Sequence, residues 1–360
     1  MAGFPRDLLA LLRCCRDAGP LELAAESQGD DGCVIEGRLR CATCGGEYRV
    51  EQGIARLMPA TLTAEDEHEM SARDRQNASA DAGLFVAPMF GWRSRVSDLL
   101  EIPPHLDALQ PEACTVLECG CGDGRFTILM AQLGARVLAV DFSINALRAL
   151  ASRLPSGIAP TAYRLRRRAE ATDVRGRVGL VQGDASRFHA APRAFDRALA
   201  TTPLDSRDER MAMYRTIADA LTDQGRFVGS VECDDLTRRL LGLPVARRYS
   251  SGILIQHFDA AELRREAAPY FGRLRLRLIR PRIPFQHRLS PRWTLGLSRL
   301  LGAVPVLRCL GEILLFRAER PRRPPVEGAK RSGIRPVQRF YRWYMRKIGK
   351  APLWEDHEPV

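Results

Sequence analysis

A short glycine-rich segment constrains the fold of this chain more than any other part of its 360 residues. An apolar run ends in an acid and is followed by glycines at alternate positions: Thr115–Leu117, Glu118, Gly120, Gly122 and Gly124. A helix-forming run begins directly afterwards. Glycines between a strand and a helix let the backbone approach a ligand closely and adopt φ angles that other residues avoid. The segment therefore predicts a strand–turn–helix unit that binds a ligand at the turn.

A second acidic residue narrows the choice of ligand. The next predicted strand, Arg136–Val140, ends at Asp141, which lies 23 residues after Glu118. A carboxylate at about that distance can accept hydrogen bonds from both hydroxyls of a ribose. Glu118 beside the glycines would repel a phosphate but attract a cation such as an ammonium or a sulfonium. The pattern therefore favours a nucleoside that carries an amino acid over a dinucleotide.

These residues, with four later segments in the same order, resemble class I S-adenosylmethionine-dependent methyltransferases. The later segments are Val140–Ser143, Val181–Ala185, Phe195–Asp196 and Leu221–Phe227. The resemblance covers about residues 113–320 and implies S-adenosylmethionine as cofactor. It places the glycines at the methionine moiety, Glu118 near its ammonium, Asp141 at the ribose and Asp184 at the adenine. The implied cofactor-binding residues are Glu118, Gly120, Gly122, Gly124, Asp141, Phe142, Asp184, Ala185 and Thr201.

Strands and helices alternate through this region. Such alternation implies a parallel sheet covered on both faces, with ligands at the carboxyl ends of its strands. The resemblance implies an α/β fold with a Rossmann-like methyltransferase sheet of seven strands. The predicted strands are Thr115–Leu117, Arg136–Val140, Val178–Gln182, Phe195–Thr201, Arg226–Glu232, Leu274–Ile279 and Ile313–Ala318. Residues 236–310 are expected to form a substrate cap and insertion.

A cysteine knuckle indicates a small separate module at residues 1–60. Cys41 and Cys44 frame a tight turn closed by glycines, and Cys14 lies 27 residues before Cys41. The segment resembles the short zinc-ribbon-like domain of the Trm112 type, whose first knuckle has a second cysteine where this chain has Asp17. Three thiolates and a carboxylate can bind Zn²⁺, so Cys14, Asp17, Cys41 and Cys44 are the predicted ligands. The alternatives are Cys15 as fourth ligand or a ribbon held by its apolar residues without metal.

The net charge of +12 is concentrated in two segments. Residues 320–350 hold eleven Lys and Arg and one acid, and residues 273–292 hold seven Arg and no acid. A local basic patch indicates an anionic partner such as RNA, a phosphorylated substrate or a membrane surface, unless the tail is simply solvated. We expect residues 321–360 to be a basic, partly disordered tail and residues 61–112 to be a helical linker and lid.

The segment after the fourth predicted strand indicates which class of molecule accepts the methyl group. Enzymes that methylate amino groups of bases typically carry Asn/Asp-Pro-Pro-aromatic there, whereas this chain has Thr-Thr-Pro-Leu at 201–204. His257 and Asp205 are the remaining candidates for a catalytic base. The first hypothesis is a small-molecule or lipid-linked acceptor held under residues 236–310. The second is an RNA methyltransferase, and the third is a non-catalytic scaffold with this fold.

The N-terminus carries only a short, charged apolar patch at Leu8–Leu12, which does not match a signal peptide. No uninterrupted apolar run reaches about 18 residues, so no membrane-spanning helix is predicted. We therefore expect a cytoplasmic protein. Its basic tail is expected to contact an anionic membrane surface, where residues 336–350 would fold as an interfacial helix, or alternatively to bind RNA through its aromatic residues.

Overall fold

A mixed sheet of eleven strands is the framework of the chain. The structure is a computed structural model that describes residues 3–29, 32–59, 67, 70, 71, 91–157, 171–201, 207–240, 242, 244–248, 254–281, 283, 289–304 and 310–323. The chain divides into two units, Met1–Arg323 and Pro324–Val360, and every described residue belongs to the first.

The described elements begin with a short helix and four strands and continue with alternating helices and strands. The helices are α1 (Arg6–Leu9), α2 (Gly91–Leu109), α3 (Thr127–Gln132), α4 (Ile144–Arg153), α5 (Arg207–Ala220), α6 (Leu236–Leu240), α7 (Ala260–Ala267) and α8 (Pro291–Ala303). The strands are β1 (Leu21–Gln28), β2 (Val34–Cys41), β3 (Glu47–Glu51), β4 (Ile54–Arg56), β5 (Thr115–Cys119), β6 (Arg136–Asp141), β7 (Val178–Gln182), β8 (Phe195–Thr201), β9 (Leu221–Glu232), β10 (Ala246–Arg248), β11 (Leu254–Gln256), β12 (Phe271–Pro281) and β13 (Gly311–Pro321).

The strand order is β1-β2-β3-β4-β7-β6-β5-β8-β9-β13-β12, and β10 and β11 form a separate pair. Neighbours from β4 to β9 run parallel, whereas β1 to β4 and the pairs β9–β13 and β13–β12 are antiparallel. All seven predicted strands are present, and β9 begins five residues earlier than predicted. The sequence predicts seven strands, but the sheet has eleven because β1 to β4 extend it.

The N-terminal segment joins the main sheet through β4. Ile54 pairs in parallel with Leu180 of β7, and the Leu57 N–H donates to Gln182 O at 2.8 Å. Phe4 packs where Gly179 leaves room, since a Cβ there would lie 2.9 Å from Phe4 Cζ. The structure thus differs from the expected separate module, because two segments distant in sequence share one ladder. The domain boundaries at residues 60, 112 and 320 stay predictions.

Successive residues of the central strands belong to two different apolar clusters, one on each face of the sheet. Leu117 and Val140 belong to a cluster that also contains the N-terminal segment, α5 and α7. Val116 and Ala139 belong to a second cluster with α2, α3 and α4. Neighbouring residues of a strand point to opposite faces of a sheet, so both faces are buried, as a parallel sheet requires. The carboxyl edge of the sheet is where polar groups can gather.

Among the described helices, none combines the length and the apolar composition that crossing a membrane requires.

Candidate active site

The glycine turn after β5 leaves open space at the carboxyl edge of the sheet. Gly120 and Gly122 have φ angles of 76° and 55°, and no heavy atom beyond their chain neighbours lies within 4 Å of the position that a Cβ would occupy. The Gly120 N–H donates to Val140 O at 2.8 Å, which fixes the turn against β6. Gly124 differs, because a Cβ there would collide with Leu150 of α4. Gly120 and Gly122 therefore form a cradle, and Gly124 allows a helix to pack closely.

Asp141, at the end of β6, is oriented by two backbone groups. Its Oδ2 accepts a hydrogen bond from the Gly122 N–H at 2.7 Å, and its Oδ1 accepts one from the Ser143 N–H at 2.9 Å. Ser143 in turn caps α4 by accepting from the Ala146 N–H at 3.2 Å. These contacts fix the Asp141 carboxylate beside the glycine turn, and a carboxylate oxygen can accept more than one hydrogen bond.

Glu118 is buried, with 2 % of its surface exposed. Its Oε2 accepts a hydrogen bond from the Thr127 hydroxyl at 2.6 Å. Burial raises the pKa of Glu118 to about 8, against the opposing influence of the Thr127 hydroxyl and the Arg125 guanidinium. A cation brought to this carboxyl would favour its ionised form. The group therefore suits an ammonium ligand at neutral pH.

The ends of β6 and β7 meet at the same edge. The Gly183 N–H donates to Asp141 O at 3.0 Å, and Gln182 Nε2 donates to Phe142 O at 3.1 Å. Asp184 Oδ1 accepts from the Ser186 N–H at 2.8 Å and from the Ser186 hydroxyl at 2.7 Å. Phe142 and Ala185, which follow Asp141 and Asp184 in sequence, are half-buried. The structure thus brings the predicted ribose and adenine residues together.

Of the two predicted catalytic residues, His257 and Asp205, the structure describes His257. Thr201 is the last residue of β8, and Asp205 is outside the described residues. His257 is buried beyond the end of β9, where the neighbouring Phe258 forms a parallel bridge with Cys233. His257 Nδ1 lies 3.1 Å from Val245 O. A carbonyl only accepts hydrogen bonds, so Nδ1 is the donor in this contact and Nε2 is the nitrogen that can take up a proton.

The strands whose carboxyl ends form this edge match a known protein family. Residues 117–229 match the family model described as a methyltransferase domain. This stretch is a methyltransferase domain. It contains all the residues predicted to bind S-adenosylmethionine, whereas His257 and the cysteine cluster lie outside it. The open glycine cradle, the oriented Asp141 and the buried Glu118 fit this cofactor.

Solved methyltransferases are similar to the chain in fold. A S-adenosylmethionine-dependent methyltransferase from Mesorhizobium loti is 16% identical, covering 62% of this chain and 97% of that chain at a TM-score of 0.40. The 1,6-didemethyltoxoflavin-N1-methyltransferase from Burkholderia thailandensis is 20% identical, covering 83% of this chain and 100% of that chain at a TM-score of 0.40. Similarities this distant do not bear on the acceptor. No curated protein matches the chain in sequence.

A buried ionic network borders the methyltransferase domain, and the sequence analysis missed it. Arg125, directly after the glycine turn, donates to Asp98 Oδ1 at 2.7 Å and lies 3.4 Å from Glu101 Oε2. Glu101 Oε1 also accepts from Arg280 Nη1 at 2.5 Å. Burial alone would raise the pKa of Glu101, but Arg280 and Arg125 outweigh it and hold the pKa below its usual value. The only sequence signal is the spacing of Asp98 and Glu101, which places both acids on one face of α2.

Four predicted ligand residues converge beside the N-terminal strands. One atom each of Cys14, Asp17, Cys41 and Cys44 lies within 4.8 Å of the others. Cys14 Sγ is 3.6 Å from Cys44 Sγ, and Cys41 Sγ is 3.4 Å from Asp17 Oδ1. Tetrahedral zinc with Zn–S bonds of about 2.3 Å separates its sulfur ligands by about 3.8 Å. The spacing of the cluster therefore fits zinc.

The surroundings of two cluster members, Asp17 and Cys41, favour their anionic forms. Backbone N–H groups of Thr43 and Cys44 donate to Cys41 Sγ at 3.4 and 3.5 Å. The Gly19 N–H is the main cause that lowers the pKa of Asp17 to about 2. Cys15 is not part of the cluster, and its Sγ lies 3.2 Å from Tyr48 Oη. Donors of this kind stabilise thiolate and carboxylate ligands.

Proposed function

We propose that the methyltransferase domain acts on a small-molecule or lipid-like acceptor held under residues 236–310. The supporting observation is where large apolar side chains are exposed. Among the described residues they all lie between positions 236 and 304: Leu236, Leu240, Val245, Trp293, Leu300 and Val304. Exposed apolar side chains often mark a binding site, and three of these, Leu236, Leu240 and Val245, belong to the segment whose Val245 O lies 3.1 Å from His257 Nδ1. A cap of this character suits an acceptor with an apolar part better than a polar nucleic acid.

The proposal assigns roles along the carboxyl edge. Gly120 and Gly122 would admit the methionine moiety, with Glu118 at its ammonium, and Thr201 would line the same edge. Asp141 would accept hydrogen bonds from the ribose hydroxyls. Asp184 would accept one from the adenine amino group, with Phe142 and Ala185 against the ring. Gly124 would shape the turn through its contact with Leu150.

His257 is the proposed base. When bound, S-adenosylmethionine supplies the methyl group on a sulfonium, and the transfer is an in-line displacement that depends mainly on positioning. An acceptor that keeps its proton needs a base. His257 Nδ1 faces the Val245 carbonyl, so Nε2 would take that proton. Asp205 is the second candidate, on the segment that follows β8.

Two further proposals lie at the ends of the chain. The cysteine cluster would hold a structural zinc through Cys14, Asp17, Cys41 and Cys44. The basic tail, residues 321–360, would contact an anionic membrane surface, and most of it lies outside the described residues. Cytoplasmic localisation stays a prediction.

A labelled-methyl assay on separated fractions tests the acceptor. The full-length protein is incubated with methyl-labelled S-adenosylmethionine and, separately, with extracted lipids, polar metabolites and RNA. We expect label in the lipid or metabolite fraction. The variant Asp141→Ala should lose the label, which separates this activity from contaminants, and His257→Ala should lower kcat with little change in cofactor affinity. Label in RNA alone would make the RNA hypothesis the correct one, and cofactor binding without label anywhere would favour the scaffold.

A further inference from the structure

The outer face of α8 and the adjoining edge strand β12 form a surface that neither the cofactor site nor the proposed base uses. We infer that this surface docks onto an anionic lipid membrane. The α8–β12 surface is defined here by Arg275, Arg277, Arg292, Trp293, Leu300 and Val304. The inference rests on the proposed lipid-like acceptor only in that such an acceptor would be presented by a membrane. Its test needs no methyl transfer.

Helix α8 departs from the usual amphipathic arrangement at several positions. Its side chains Thr294 and Ser298 are buried, each with 3 % of its surface exposed, together with Leu295. Trp293 and Leu300, by contrast, are 69 % and 62 % exposed. A surface helix normally buries its apolar stripe and exposes polar side chains. Exposed tryptophan and leucine on a helix that buries two hydroxyl groups indicate an apolar environment on the outer side.

The exposed apolar residues form one stripe. Trp293 and Leu300 are seven residues apart, which is close to two full turns, and Val304 lies one turn farther on. Gly296, between them on the same face, is also exposed. The stripe is therefore continuous along the outer face of α8, and its exposed side chains can contact the headgroup region of a bilayer.

Arginines border the stripe. Arg292 precedes Trp293 and Arg299 precedes Leu300, so the two lie on one side of it, and both are exposed. Arg275 and Arg277 are exposed on β12, the last strand of the described sheet. Arg275 and Arg277 lie on the same face of β12 as Ile279, which packs in one apolar cluster with residues of α2. Helix α8 packs against both α2 and β12. The arginines of β12 and the stripe of α8 therefore belong to one side of the molecule.

The segment that supplies α8 and β12 carries positive charge and contains no acidic residue. No Asp or Glu occurs in the sequence between Glu266 and Glu312. Glu319, on the neighbouring β13, is already paired with Arg317 and lies 3.8 Å from Arg273. An apolar stripe with tryptophan, bordered by arginine, is the arrangement of helices that lie in a membrane interface. Leu300 and Val304 cannot stack on bases, so the surface fits lipid better than RNA.

Vesicle binding by the full-length protein tests the inference. We compare co-sedimentation with vesicles of phosphatidylglycerol and phosphatidylcholine against vesicles of phosphatidylcholine alone, at physiological salt. We expect binding to the anionic vesicles. Because each arginine near an anionic surface strengthens binding about fivefold, the double variant Arg275→Gln/Arg277→Gln should bind about 25-fold more weakly. The double variant Trp293→Ser/Leu300→Ser removes the apolar contribution and should weaken vesicle binding by at least a similar factor.

A matched control uses the opposite end of the sheet. Arg38 and Arg40 are also two exposed arginines, two residues apart, on β2. Arg38→Gln/Arg40→Gln removes the same charge and should leave vesicle binding within about twofold, since only charges near the membrane contribute strongly. Equal losses in the two arginine variants would overturn the inference, because net charge alone would then explain binding. Failure of the wild type to bind anionic vesicles would also overturn it.

A fluorescence measurement separates this surface from the tail. Lipids brominated in their acyl chains should quench part of the tryptophan emission of the wild type, and Trp293→Phe should lose that part. Quenching unchanged by this substitution would place the membrane contact elsewhere and overturn the inference. Calorimetry should find unchanged S-adenosylmethionine affinity in all these variants. If the labelled-methyl assay fails while vesicle binding persists, the proposed acceptor is wrong and the docking surface stands.

Discussion

At the scale of single residues, the carboxylate of Asp141 joins the glycine turn to the start of α4. We predict that Asp141→Ala weakens S-adenosylmethionine binding by about 2–4 kcal/mol, because two charge-assisted hydrogen bonds to the ribose would be lost. Calorimetry measures this change. Asp196→Ala is the control, since Asp196 accepts a hydrogen bond from the Thr115 N–H at the opposite end of β5. Equal affinities in wild type and Asp141→Ala would remove Asp141 from the cofactor site.

The buried carboxyl of Glu118 should make stability depend on pH. Its pKa is about 8 in the folded chain against 4.5 ordinarily, so the folded state binds more protons than the unfolded state between these values. The stabilisation is complete below pH 4.5 and is lost as the pH rises through 8, by at most about 1.4 kcal/mol per pH unit. The free energy of unfolding of Glu118→Gln, minus that of the wild type, should therefore increase from pH 5 to pH 8 in urea titrations without cofactor. Parallel pH profiles would contradict this prediction.

At the scale of elements, the two knuckles around β2 should bind one metal ion. We predict about one zinc per chain by elemental analysis and its loss in Cys41→Ser, because three remaining ligands hold zinc poorly. Asp17→Cys should retain the metal, since it restores a four-thiolate site. Cys114→Ser is the control, as Cys114 precedes β5 and is not part of the cluster. A metal-free wild type that resists proteolysis over residues 1–60 would leave the apolar core as the support of this segment.

The packing of Phe4 on β7 makes the N-terminal segment part of the main core. Phe4 is fully buried and fills the space left by Gly179. We predict that Phe4→Ala costs about 3–5 kcal/mol and lowers the temperature of a single unfolding transition that cofactor binding raises. Calorimetric scans with and without S-adenosylmethionine show this directly. Two transitions, of which only the cofactor-independent one shifts in Phe4→Ala, would mean that the segment folds as a separate module.

At the scale of the whole molecule, Arg280 connects distant parts of the chain. It contacts Glu101 of α2, Glu232 of β9 and Glu312 of β13. Its φ angle of 54° lies in the left-handed region, which residues other than glycine rarely adopt. The ionic contacts therefore hold a locally unfavourable backbone.

Breaking this network on one side should be costly. We predict that Arg280→Met destabilises the protein by about 3–5 kcal/mol, because it leaves Glu101 buried with less compensation. The double variant Arg280→Met/Glu101→Leu should lose less than the sum of the two single changes, since it removes both charges. Urea unfolding of the four proteins measures the coupling. Additive effects would show that the pair does not stabilise the fold as a unit.

Local patterns were sufficient for much of the fold. The seven predicted strands and the alternating helices depend on apolar periodicity and on glycine positions, which are properties of neighbouring residues. The same holds for Glu118, Gly120, Gly122 and Asp141, because the end of a parallel strand determines where the next residue lies. The ligand set of the cysteine cluster could be anticipated through the resemblance to the Trm112 type, because the two knuckles are distant in sequence and meet only in the folded chain.

The sequence by itself determined the elements, the glycine turn and the acids at the strand ends. Only the tertiary structure decided that β4 pairs with β7, that Arg125 and Arg280 share Glu101, and that α8 turns Trp293 outward. Each of these features depends on segments that are tens to hundreds of residues apart and meet only when the sheet forms. Pairing between distant strands and burial of distant charges leave no periodic signal in a sequence, because the energy of each contact depends on which surface the rest of the fold presents.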